Sequence, residues 1–260
     1  VLIAADSRQA PEDELLPLSY RRGSRRGDIP VIQIKRALAD KILQSAGKSP
    51  ADVLAETIRK ENQSGSFDTR LSISAQTDLN YIKKQARNVV GLLPGSDPDL
   101  ADEYVIIGAH YDHLGFGQHG SRDPHPGAIH YGADDNASGT ASVIETAEYF
   151  ALQKKGPKRS LVFVAFDAEE MGLLGSAFFA DSADIDMKKV YAMVNFDMLG
   201  RLSEEKPELT ISGTGTAEEF ETILDKFEKK TKIAQAYNPS GQGASDHSSF
   251  YRKDIPVLFF

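Results

Sequence analysis

The chain has 260 residues, of which 40% are hydrophobic and 26% charged, with a formal net charge of −8. This length holds a full α/β core and a second, smaller unit, and the composition is that of a globular protein, not a disordered one. The acidic balance argues against a nucleic-acid partner, no apolar run nears the roughly 18 residues of a spanning helix, and the lack of cysteine leaves only His, Asp and Glu to hold a metal ion.

In chain order, residues 1–5 form an apolar, strand-like run with no initiator Met, basic stretch or cleavage site before it, so the expectation is a processed product or part of a longer chain. Arg21, Arg22, Arg25 and Arg26 are interleaved with Gly23, Ser24 and Gly27 and read as a solvated loop. Residues 31–34 after Pro30 predict a strand, and residues 35–46 a helix closed at Gly47. A second helix follows Ser49, with Pro50 in its first turn and Val53, Leu54 and Ile58 on one face. The polar stretch 61–68 marks a connector, so the expected domains are residues 1–65 and 66–260.

From Arg70 onward strands alternate with helices. Residues 70–76 alternate as a half-buried strand does, and residues 85–93 precede the Pro94-Gly95 turn. Residues 104–108, 160–166 and 190–196 are near-continuous apolar runs, the pattern of strands buried on both faces; residues 209–212 and 255–260 add two more strands. Residues 138–153 read as a helix, as do residues 216–230, where Thr216 and Glu219 suggest a capping box and Phe220, Ile223, Leu224 and Phe227 an apolar stripe. The fold class is therefore α/β: a mixed, largely parallel sheet sandwiched by helices.

In such sheets ligands bind beyond the carboxyl ends of the strands. The run 104–108 leads into His110-Tyr111-Asp112-His113, the run 160–166 into Asp167-Ala168-Glu169-Glu170, and the run 190–196 into Asp197; a loop then delivers Asp134-Asp135-Asn136-Ala137-Ser138 to a helix start. Taken singly, these residues have ordinary explanations. Asp134, Asp135 and Ser138 could cap the helix, Glu169-Glu170 could lie on a solvated helix start, and His110 could be a hydrogen-bonded interior histidine. Taken together, so many acids on one sheet edge repel one another unless a cation neutralises them. One imidazole with several carboxylates suits zinc ahead of manganese or cobalt, and a set poor in nitrogen suits two ions sharing an acid. Of the other histidines, His113 is expected to support the loop after His110, and His119 and His125 to be solvated. His130 is a candidate substrate contact near Asp134.

His110-Tyr111-Asp112, the segment 132–139, the segment 166–176, Asn195-Phe196-Asp197-Met198 and Ser245-Asp246-His247 together resemble, in order, the motifs of the two-zinc aminopeptidase and glutamate carboxypeptidase family, over roughly residues 70–260. The resemblance implies that His110 and Asp197 bind one zinc, Glu170 the other, and Asp134 bridges both. Glu169 is then the general base, Asp112 orients His110, and Asp246 and His247 line the site near the substrate. The family's fifth ligand, a histidine, is expected beyond Phe260, so the catalytic domain is expected to lack its C-terminal end. Residues 29–34 and the following helix resemble, more weakly, the latter part of a protease-associated domain.

The implied function is a zinc-dependent aminopeptidase acting on peptide substrates, exported (periplasmic, cell-surface or secreted), with no nucleic-acid partner and no membrane span in this chain. A glutaminyl cyclase is an alternative, but it uses one zinc, and the acid pair Asp134-Asp135 supplies the bridge that a second ion needs. A glutamate carboxypeptidase would want an arginine-lined pocket, and only Arg201 lies near the motifs. A non-catalytic, receptor-type relative would be expected to have lost ligands, whereas the positions here are filled.

Overall fold

The computed structural model describes residues 1–5, 11–16, 31–49, 68–76, 84–117, 120–122, 127–205, 207–231 and 233–260. They fall into two compact units, Val1–Lys83 and Lys84–Phe260. In that first unit β1 (Leu2–Ala4) pairs in parallel with β2 (Ile32–Ile34), and α1 (Arg36–Ser45) follows. The carboxylate of Asp13 accepts the backbone N–H groups of Arg36 and Ala37 at 2.5 and 3.0 Å, satisfying donors that the first turn leaves unpaired. The arginine cluster and the helix expected beyond Ser49 lie outside the described residues. Residues 70–76 form no strand: Leu71 and Ile73 are exposed, and an alternating pattern becomes a strand only where a neighbour supplies a ladder and a covering face.

The second unit is built on a seven-stranded sheet. Its strands are β3 (Val89–Leu93), β4 (Tyr104–His110), β5 (Ser160–Phe166), β6 (Val190–Asn195), β7 (Glu208–Ser212), β8 (Ala234–Asn238) and β9 (Val257–Phe259), in the order β3-β5-β4-β6-β9-β7-β8. Strands β5, β4, β6 and β9 run parallel, β3 is antiparallel on β5, and β7 joins β9 antiparallel while pairing in parallel with β8. This is the mixed, largely parallel sheet expected. Four helices accompany it: α2 (Gly139–Ala151), α3 (Leu174–Ser182), α4 (Phe220–Thr231) and α5 (His247–Tyr251).

Side chains alternate across a strand, and the core follows that alternation. Ile106, Val162, Val164 and Phe166 face Phe179 of α3 and Phe250 of α5. Ile107, Ala109, Leu161 and Phe163 face Val143, Ala147 and Phe150 of α2. Both faces of β4 and β5 are thereby covered, which is why their sequences read as continuous apolar runs. Helix α4 begins four residues later than predicted. The Thr216 hydroxyl accepts from Val257 N at 2.9 Å and donates to Gly213 O at 2.7 Å, so it secures β9 instead of closing a capping box. Phe220 and Leu224 are buried, but Ile223 and Phe227 are about half exposed, leaving a narrower stripe than expected. No helix among the described residues is long and apolar enough to cross a membrane.

Phe166 is fully buried, its ring 6.0 Å from those of Phe179 and Phe250. A Cβ on Gly108 would collide with that ring, which explains a glycine inside β4. Phe166→Ala is expected to cost about 3–5 kcal/mol and to lower the thermal midpoint by roughly 6–20 °C, read by circular dichroism. A shift under about 2 °C would contradict this account of the core.

Candidate metal centre

Because β4, β5 and β6 are parallel neighbours, their carboxyl ends open on one edge. His110 ends β4, the segment from Asp167 to Glu170 leaves β5, and Asp197 leaves β6. His110 is 1% exposed. Its Nδ1 lies 3.0 Å from the main-chain oxygen of Asp112, which assigns Nδ1 as a donor and aims Nε2 at the edge. Nε2 lies 3.3 Å from Asp135 Oδ1 and 3.5 Å from Asp197 Oδ1. An imidazole between two carboxylates needs a cation, and in the protein alone that cation is its own second proton. Burial opposes the charged ring, but Asp112 and Asp197 outweigh it and hold the pKa up at about 11. A metal ion bound at Nε2 displaces that proton.

Asp112 acts in two directions. Its carbonyl receives His110, while its carboxylate accepts the backbone N–H groups of Glu169 and Glu170 at 3.0 and 3.2 Å. The carboxylate is 3.7 Å from His110 Nδ1, beyond hydrogen-bond reach, so the main chain orients the ring and the side chain holds the turn after β5. Asp197 is held by Ser245, whose hydroxyl donates to Oδ2 at 2.8 Å and accepts from Asn195 Nδ2 at 2.8 Å, leaving Oδ1 toward His110. Asn136 is a second positioning residue that the sequence reading missed. Its Oδ1 accepts Gly139 N at 3.0 Å and its Nδ2 donates to Phe196 O at 3.0 Å, capping α2 and tying it to the segment that carries Asp197.

The geometry places Asp135, and not the expected Asp134, between the two imidazoles. Asp134 is engaged by Arg201 Nε and Gly200 N, each at 2.6 Å. The neighbouring Asp135 has extended backbone angles (φ −107°, ψ 92°), and successive side chains on extended backbone point to opposite sides. Asp135 Oδ1 therefore faces both His110 Nε2 and, at 3.7 Å, His113 Nδ1. His113 Nδ1 in turn lies 2.7 Å from Glu170 Oε1. Two donor groups result, His110 with Asp135 and Asp197, and His113 with Asp135 and Glu170, sharing Asp135.

Glu169 stands beside both groups. Burial, reinforced by the charges of Asp246, Asp197 and Glu170 against the pull of His110, raises its carboxyl to about 8; a dication nearby acts in the opposite sense. Asp246 is fully buried, and burial raises its carboxyl to about 7. The His247 ring is fully buried and stacked on Phe259 at 4.4 Å, and burial lowers its pKa to about 4. His130 pairs with Ser121 Oγ at 2.9 Å and lies edge-on to His113. His119 and His125 are outside the described residues.

The residues fit a metal ion. Buried polar atoms are normally hydrogen-bonded, yet His113 Nδ1, Glu170 Oε1 and Asp197 Oδ1 are buried without a hydrogen-bond partner among the described residues. All three belong to the two donor groups, and each group is one imidazole with two carboxylates, a set suited to zinc.

Comparison with known proteins agrees. Solved structures similar to this chain include BSAP, a zinc aminopeptidase from Bacillus subtilis, at 28% identity and a TM-score of 0.52, covering 66% of this chain and 39% of that one. The Legionella pneumophila LapA aminopeptidase matches at 29% identity and a TM-score of 0.51, covering 66% and 43%. The architecture is thus a zinc-exopeptidase type of α/β fold. The model of peptidase family M28 matches residues 88–260, and the chain belongs to that family. A probable leucine aminopeptidase of Trichophyton verrucosum is 34% identical over 66% of this chain and 44% of its own length. A glutamate carboxypeptidase 2 homolog of Caenorhabditis elegans is 27% identical over 97% of this chain and 33% of its own length. The chain spans less than half the length of these relatives.

Proposed function

We propose that this protein is a zinc-dependent aminopeptidase that uses two metal ions, with His110, Asp135 and Asp197 holding one and Glu170 and Asp135 the other. The observation that carries this reading is the position of Asp135, one carboxylate oxygen facing the imidazoles of both donor groups. When bound, such ions polarise a scissile carbonyl and make water a better nucleophile near neutral pH. Glu169 takes the proton from that water and returns it to the leaving nitrogen. Asp112 and Ser245 keep the donors aimed, and the surplus of acids at the edge suits a substrate with a free ammonium. The aminopeptidase names of similar proteins support this choice of reaction. A carboxypeptidase would need a free guanidinium for its substrate's carboxylate, and Arg201 is committed to Asp134.

We also propose that the protein is exported and that residues 1–65 form part of a protease-associated domain; the β1-β2 pair and α1 supply the strand–helix pattern on which the second reading stands.

The test is elemental analysis of the purified protein with hydrolysis of aminoacyl chromogenic substrates, free and N-acetylated. About two zinc ions per chain, cleavage of the free substrate only, and loss of activity on chelation with recovery on adding zinc are expected. Equal cleavage of the acetylated substrate would remove the aminopeptidase assignment. A single zinc with cyclisation of N-terminal glutamine would favour the cyclase.

A further inference from the structure

We propose that Asn88 is a positioning residue for Glu169, its carboxamide clasping both ends of the turn that carries this carboxylate; this rests on the role given to Glu169 above. The β3–β5 ladder ends at Val89 opposite Ala165, and beyond that pair side chains take over the pairing. Asn88 Oδ1 accepts the backbone N–H of Asp167 at 3.0 Å, and Arg87 N donates to Asp167 Oδ2 at 2.8 Å. Asn88 Nδ2 then reaches across the turn and donates to Gly175 O, in the first turn of α3, at 2.9 Å. One partly buried side chain thus holds the segment where it leaves β5 and again where it enters α3. Gly175 has no room for a side chain: a Cβ there would collide with Asp167 O and Asn88 Oδ1, so the glycine lets the two ends lie against each other and against the amide.

The turn needs such a clasp. Ala168 and Leu173 have left-handed backbone, φ +56° and +60°, a conformation that residues with a side chain keep only where the surrounding contacts over-determine it. The bonds inside the turn, from Gly172 N and Leu173 N to Glu169 O at 2.8 Å and from Leu174 N to Ala168 O at 3.0 Å, close the loop but do not fix it on the sheet. That is done by Asp112, which accepts the N–H groups of Glu169 and Glu170, and by Asn88 at the two ends. Tyr111, between His110 and Asp112, joins the two supports by donating its hydroxyl to Arg87 O at 2.7 Å. Position 88 requires an amide, because the side chain must accept from an N–H and donate to a carbonyl at once. A carboxylate would face the Gly175 oxygen without a proton, and an aliphatic side chain would leave both partners unmet.

The test compares Asn88→Leu with Leu93→Ala, a β3 variant that loosens packing against α2 without touching the turn. In Asn88→Leu protein saturated with zinc, kcat on aminoacyl substrates is expected to fall about 10–100-fold, the upper end being what a misplacement of about 1 Å costs, with KM within about threefold of wild type. In the Glu169→Gln background the same change is expected to cost less than about threefold, because a residue that acts through Glu169 then has nothing left to position. In metal-free protein the amides of Glu169 and Glu170 are expected to exchange about tenfold faster in Asn88→Leu, while those of Ile106 and Ile107 in β4 keep wild-type protection, read by hydrogen-exchange NMR. Losses in kcat that multiply independently across positions 88 and 169, or exchange of the Glu169 amide within about twofold of the Leu93→Ala protein, would overturn the inference. A wild-type protein that hydrolyses no aminoacyl substrate would instead remove the aminopeptidase reading, and the exchange comparison would then decide by itself whether Asn88 holds the turn.

Discussion

Glu169→Gln is expected to lower kcat by about 10²–10⁴, the range that positioned acid–base groups contribute, equivalent to roughly 3–5 kcal/mol of barrier, while leaving the zinc content of the wild-type protein unchanged. The separation of the two readouts is the point of the experiment. Glu169 belongs to neither donor group, and its backbone N–H is bound by Asp112 whatever its side chain. The glutamine amide occupies nearly the same space and cannot accept the water's proton. Single-turnover and steady-state assays on aminoacyl substrates, with metal content measured on the same preparation, check this. Activity within about threefold of wild type would remove Glu169 from the reaction, and a parallel loss of zinc would make it a ligand instead of a base.

The adjacent acids Asp134 and Asp135 provide the second large contrast. Asp135→Asn removes the carboxylate shared by both donor groups, and on the two-metal proposal both ions are expected to bind more weakly. Loss of an orienting partner alone costs about 10–100-fold in metal affinity or activity, and loss of a shared ligand is expected to exceed the upper end. Asp134→Asn keeps an oxygen for Gly200 N and gives up the pairing with Arg201, whose side chain is 72% exposed. Such an exposed pair contributes about 0–1 kcal/mol. Asp134→Asn should therefore retain two zincs and activity within about fivefold. If the two variants exchanged these behaviours, the bridge would lie on Asp134, as the sequence alone suggested.

That contrast also shows where reading a sequence stops. Periodicity and strand-end chemistry locate the edge where potential metal ligands gather, because buried parallel strands must be apolar on both faces and the acids that follow them must leave on the same side. The strands around 104–110, 160–166 and 190–195, and His110, Glu169, Glu170 and Asp197 at their ends, follow from local pattern. The choice between Asp134 and Asp135 does not, since two adjacent carboxylates are equivalent until the backbone angles at Asp135 turn them apart. Neither does the approach of His113 Nδ1 to Glu170 Oε1, 2.7 Å, which arises only once β4 and β5 lie side by side.

The same division holds for the supporting residues. Thr216 read as a helix cap, but β9, some 40 residues later, takes its hydroxyl. His247 read as lining the site, and its ring stacks on Phe259, a partner twelve residues on that the sequence does not point to. Ser245 and Asn136 position the site through partners 48 and 60 residues away. The sequence by itself determined an acidic, cysteine-free α/β chain with imidazole and carboxylates gathered at one sheet edge, since composition and period are local properties. Only the tertiary structure decided which lone pairs converge, because convergence depends on strand order and on the direction in which each loop turns its side chains.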